Sequence, residues 1–162
     1  MRIRRYLGHI ILMFLVVLAI AFSSCGTGDT VWTRSIDLPK STWDADNKLV
    51  FEPDSDKVIM NDATKLVLFV KYKENANLRT LPLVVETESA VDGFEYSLDS
   101  VRIELFDSIG VPTGRGNYGI YERADTFNLR YPIVAGWTLT ARPAVMAESA
   151  EGIVAFGIAL LK

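Results

Sequence analysis

Cysteine and histidine are almost missing from this chain of 162 residues, which holds one of each, Cys25 and His9. A single cysteine excludes any intramolecular disulfide, and no Cys/His cluster exists to hold a structural zinc. An apolar run long enough to cross a membrane as a helix is also lacking. The longest, Ile10 to Phe22, has 13 residues, where a span needs about 20. Basic residues form no run beyond Met1 to Arg5, and helical periodicity is scarce. What is present is ordinary globular material. The 49% apolar and 23% charged residues give too much core-forming side chain for a disordered chain. One domain is the natural count at this length.

The N-terminus specifies a compartment. Arg2, Arg4 and Arg5 precede the apolar run without an acid among them, and Ser23, Ser24 and Cys25 follow it. A basic head, an apolar stretch and small residues at the cut are the parts of a secretory signal peptide. The competing reading, a buried N-terminal helix, would have to be apolar on every side behind a basic cluster.

Phe22-Ser23-Ser24-Cys25 resembles a bacterial lipobox, with Phe22 where that pattern usually has Leu or another aliphatic. The resemblance implies cleavage before Cys25 and lipidation of its thiol. Each buried methylene is worth about 0.8 kcal/mol, so several acyl chains anchor stably where one does not. A plainly secreted protein with a free thiol is the alternative. The expected division is a signal peptide over 1–24, a lipidated Cys and short tether over 25–30, and a folded domain over 31–162. Cleavage removes three arginines and leaves 14 basic against 20 acidic residues, about −6. An acidic domain without a basic run is a poor partner for nucleic acid or anionic lipid surfaces. Membrane contact would come through the lipid on Cys25.

The remaining apolar segments read as strands. Val101, Ile103 and Leu105 alternate with Arg102 and Glu104; Phe127, Leu129 and Tyr131 alternate with polar neighbours; so do Trp137, Leu139 and Ala141. Alternation puts one face in a core and the other in water. Leu66 to Val70 and Ile153 to Leu161 are apolar on both faces, as strands inside a layered structure should be. In the second of these, Ala155, Gly157 and Ala159 would let a neighbouring layer approach closely. Val31 to Ile36, Leu49 to Phe51 and Leu81 to Val85 bring the total to about eight strands. Pro82 near the start of its run suits an edge strand. Turn signals fall at 53–56, 74–77, 91–93 and 110–114. One short helix is expected over Pro143 to Glu151, with Pro at its start and Gly152 as its stop. The fold class expected is an all-β antiparallel sandwich.

Motifs for chemistry are few. Gly114-Arg115-Gly116-Asn117-Tyr118-Gly119 spells the dinucleotide fingerprint, which works only between a buried strand and a helix N-terminus. Here an alternating strand follows, so the glycines read as turn and bulge positions. Once His9 is cleaved away and Cys25 is acylated, no Ser–His or Cys–His pair remains. Carboxylate pairs occur by chance in any acidic domain. Asp44, Asp46, Asp54 and Asp56 lack an EF-hand loop and its closing Glu, and read as solvated loop acids. No catalytic, cofactor or metal residue is expected, and no enzyme. Aromatics are the remaining class. Trp43, Tyr118 and Tyr121 are the candidate interaction surface; Trp137 reads as core. Trp43 in the polar stretch 40–48 is either a plug over one end of the sandwich or an exposed contact.

The order of these features resembles the gliding-motility lipoprotein family GldH of Bacteroidetes. Cys25, the strand Val31 to Ile36, Pro39 and Trp43-Asp44 follow the family plan. So do Gly110, Gly114 and Gly116, then Gly136-Trp137-Thr138-Leu139, Met146, Gly152-Ile153 and Phe156-Gly157-Ile158. The chain departs from it at Ala147, where the family has Arg, and at Val111-Pro112-Thr113, where a Trp is missing. The family's Tyr-rich hairpin around Glu74 to Leu83 is also largely lost. The resemblance implies an accessory lipoprotein of the cell envelope that binds gliding or secretion machinery and carries no cofactor. Asp29 is the only acid close after Cys25, which favours a periplasm-facing outer-membrane position. A glycan-binding surface lipoprotein, with Trp43 and the tyrosines stacking on sugar rings, is the second expectation.

Overall fold

The computed structural model describes residues 30–53, 63–89, 95–133 and 136–162. The signal segment, Cys25, the tether before Thr30, and the expected turns at 54–56 and 91–93 lie outside the described residues.

Eleven strands are described: β1 (Thr30–Asp37), β2 (Thr42–Asp44), β3 (Leu49–Phe51), β4 (Ala63–Lys73), β5 (Thr80–Ser89), β6 (Glu95–Glu104), β7 (Arg115–Asn117), β8 (Ile120–Ile133), β9 (Trp137–Pro143), β10 (Ser149–Glu151) and β11 (Ile153–Leu161). Every pairing is antiparallel. One sheet runs β1-β11-β4-β8-β7, the other β3-β9-β5-β6, and β10-β2 form a separate pair. The eight expected segments are all strands. The three that the sequence pattern does not reveal, β2, β7 and β10, have three residues each, too few to display a period.

Alternation places the core. On β4, Leu66, Leu68, Val70 and Tyr72 are fully buried, and Phe156, Ile158 and Leu160 of β11 pair beside them. From the other sheet come Leu81, Leu83 and Val85 of β5, Val101 and Ile103 of β6, and Leu139 and Ala141 of β9. These residues form one cluster, so the two sheets pack face to face as a sandwich. The runs that are apolar on both faces, β4 and β11, are interior strands.

Three local expectations are corrected. Pro82 lies on β5, which is flanked by β9 and β6 rather than at an edge. It is tolerated because its nitrogen faces β9 at the end of that ladder. There Pro82 only accepts, from the Ala144 N–H at 2.9 Å, and no donor is required of it. The segment Pro143 to Glu151 forms no helix. Pro143 stays in register opposite Leu83, and Ser149–Glu151 pairs with Asp44–Thr42. The five residues left between are too few to nucleate a helix, whereas the β10-β2 pairing buries Ala150 completely. Among the described residues, what approaches Gly157 most closely is its own sheet and not a second layer. The ring of Phe69, its cross-strand partner, lies where a Cβ would stand.

Polarity in the strands is consistent. The two ends of the sandwich are distinct. Thr30, Leu161 and Lys65 stand side by side at the end where the chain enters. Tyr72, Lys73, Ile120 and Ile153 mark the opposite end. Thr80, Glu104 and Pro143 of the second sheet lie at that opposite end as well. Called distal here, it carries the segments 38–48, 74–79, 105–114, 118–119 and 144–148.

Candidate functional site

The distal end is built by short devices, each traceable to a residue. In the loop after β6, the Asp107 carboxylate accepts from the backbone N–H groups of Ile109 and Val111, both at 2.9 Å. This is the local turn that Asp favours. Gly110 supplies the positive φ at its tip, and the Thr113 N–H returns to Leu105 O at 2.9 Å. Beneath the loop stands Tyr72. Its buried hydroxyl donates to Leu105 O at 2.6 Å and accepts from Gly114 N–H at 2.9 Å. Phe106 meets the Tyr72 ring edge-on, with centroids 5.5 Å apart.

The glycine motif then makes a hairpin. Asn117 pairs with Ile120, which leaves Tyr118 and Gly119 as a two-residue loop, both at positive φ (52° and 77°). That is the type I′ geometry whose twist matches the flanking strands. At Gly114 and Gly116 a Cβ would run into the backbone of β8, at Glu122 and Ile120. The fingerprint leads into β8 rather than a helix, so its glycines serve close strand approach. The Glu74 N–H donates to Gly119 O at 2.8 Å. The hairpin tip thereby rests on the β4–β5 turn, with a shallow open groove lined by Lys73, Glu74, Asn75, Tyr118, Gly119 and Ile120.

The three expected surface residues part company. Trp43 is wholly buried, with its ring 4.9 Å from that of Phe156 and its Nε1–H donating to Asn47 O at 2.9 Å. Of the two readings of Trp43, the plug is the one observed, and this residue is corrected out of the surface. A large ring beside the sandwich end removes more apolar area from water there than outside. Tyr121 is half-buried against Tyr72, with centroids 6.0 Å apart. Tyr118 is 98% exposed.

The surface that sequence reasoning missed is aliphatic. Ile109 is 83% exposed and Met146 entirely so, while Val111 and Ile120 are about half exposed. With Tyr118 they make up all but one of the exposed large apolar side chains among the described residues; the exception is Val50 on β3. All five stand on distal segments. No sequence signal marks them, because an exposed Ile in a turn looks like any other Ile.

The distal charges are solvated. Asp44 and Asp46 are exposed, and no group of three metal-ligating side chains gathers among the described residues. Arg123 and Asp125 share the inward face of β8 and satisfy each other, with Arg123 Nε and Nη2 donating to Asp125 Oδ1 at 2.9 and 2.7 Å.

No family model matches the chain, and no curated protein matches it. Among solved structures, that of Eiger TNF from S. frugiperda is similar over 83% of this chain and 88% of its own. The two share 13% identity with a TM-score of 0.36, a likeness too distant to bear on function.

Proposed function

We propose that this protein is a lipid-anchored accessory protein of the cell envelope, periplasm-facing at the outer membrane, that binds other envelope proteins without catalysis. One observation carries the reading: the only cysteine follows the apolar run after two serines and stands five residues before the first strand. Lipidation there ties a folded sandwich to a bilayer through a very short tether. The resemblance to GldH supplies the class of partner, gliding or secretion machinery. Loss of His9 with the signal segment and acylation of Cys25 remove the usual nucleophile–base pairs, and this supports a binding role. The glycan-binding alternative loses support, since Trp43 is buried.

Metabolic labelling with an alkyne-bearing palmitate tests the anchor. Wild-type protein should carry label and sediment with membranes, and a Cys25→Ser form should do neither. An unlabelled wild type, or label that persists in Cys25→Ser, would overturn the reading.

A further inference from the structure

We propose that Arg34, Arg123 and Asp125, charged side chains on the inward face of strands β1 and β8, guard the five-stranded sheet against strand addition by a second copy of this chain. Neither lipidation of Cys25 nor an envelope partner is needed for this role.

The inward face of the sheet changes character at its margins. One row of cross-strand partners reads Arg34 of β1, Ile158 of β11, Leu68 of β4 and Asp125 of β8. The adjacent row reads Ile36, Phe156, Val70 and Arg123. Ile158, Leu68, Phe156 and Val70, on the interior strands, are fully buried. The flanking strands put charge into the same rows. Along β8, Tyr121, Phe127 and Leu129 pack against the core, so the alternation calls for apolar residues at 123 and 125 as well. Those positions hold an ion pair at 2.7 Å, its side chains 37% and 23% exposed. Arg34 is exposed.

Both strands present an edge. β7 pairs with β8 only at Ile120, Tyr121 and Glu122. From Arg123 onward no strand among the described residues lies on the flank of β8 away from β4. β1 likewise has β11 as its one described neighbour. A row of unpaired backbone N–H and C=O groups is a template for another chain, and inward-pointing charge is one of the devices that blunt it. A strand added to either edge would continue the two rows. It would wall Arg34, or the Arg123–Asp125 pair, away from water, which costs more than the charges regain without further hydrogen bonds.

Stability does not account for the pair. Aliphatic side chains in its place would extend the cluster formed by Leu68 and Val70, and exchanging a partly buried ion pair for packed aliphatics is often neutral or stabilising. The charges therefore serve to end the sheet.

The test uses the full-length protein extracted from cells in mild detergent, its mass read by light scattering and its backbone by hydrogen exchange. Wild type should have the mass of one copy. Its amides between Arg123 and Asn128 that do not pair with β4 should exchange at least tenfold faster than those that do. Arg123→Leu/Asp125→Val should keep or raise the thermal midpoint and form dimers or larger species, with those same free amides slowed at least tenfold. The charge-exchanged Arg123→Asp/Asp125→Arg should keep the mass of one copy. Slow exchange at the free amides of wild type would mean that the edge is already covered, and would overturn the proposal. So would an aliphatic variant that stays a single copy or loses thermal midpoint, or a charge-exchanged variant that associates.

Discussion

At the scale of single residues, the distal end depends on Tyr72 and tolerates Tyr118. The Tyr72 hydroxyl is fully buried and joins the loop after β6 to the start of the glycine hairpin. Tyr72→Phe leaves the Gly114 N–H without that acceptor, so it should cost roughly 1–3 kcal/mol, read as a lower urea midpoint. Tyr118→Gly should do the opposite and raise stability by about 1 kcal/mol, because glycine relieves the left-handed strain. A fall instead would mean that the ring packs against its own chain. Glu86 carries the pH dependence. The Lys48 ammonium donates to its carboxylate at 3.1 Å and, against the opposing effect of burial, holds that carboxyl below its ordinary range. A lowered folded-state pKa stabilises above the unfolded value, about 4.3, and that stabilisation is lost as pH falls through the folded value. Both side chains are about half exposed, so the effect is roughly 0.3 kcal/mol. Lys48→Met should therefore be slightly less stable than wild type at pH 7 and equal to it by about pH 3, in paired urea titrations.

At the scale of elements, Trp43 on the three-residue strand β2 is the part that closes the distal end. It packs on Phe156 of the interior strand β11 and pairs in register with the buried Ala150 of β10. Trp43→Ala should cost about 3–5 kcal/mol, seen as a lower thermal midpoint. In a Trp32→Phe/Trp137→Phe background the emission of Trp43 should be blue-shifted and resistant to quencher. The long strands were legible in the sequence because seven or more residues display an alternation that three cannot; among the three-residue strands only β3 showed, as a wholly apolar run. For the same reason Ser149–Glu151 looked like the tail of a helix behind Pro143, and only its partner strand across the chain reveals the pairing. Pro82 misled for a different reason: whether a missing N–H matters depends on where the neighbouring ladder stops, which is a tertiary fact. The candidate site was half legible. Tyr118 stood out inside its glycine motif, whereas Ile109 and Val111 gain meaning only because the topology carries their loop to the same end.

At the scale of the whole molecule, the two ends of the sandwich differ. One receives the chain at Thr30, five residues after Cys25; the other carries the ordered loops and the exposed aliphatic side chains. Lipidation of Cys25, as proposed, would tie the first of these ends to a bilayer through five residues. The most direct test is affinity purification of the lipidated protein from crosslinked envelopes, with partners identified by mass spectrometry and Cys25→Ser as the mislocalised control. One or a few envelope proteins in stoichiometric yield, lost from the control, is the result this account predicts. A lipidated protein that comes through crosslinking as a clean monomer would contradict it.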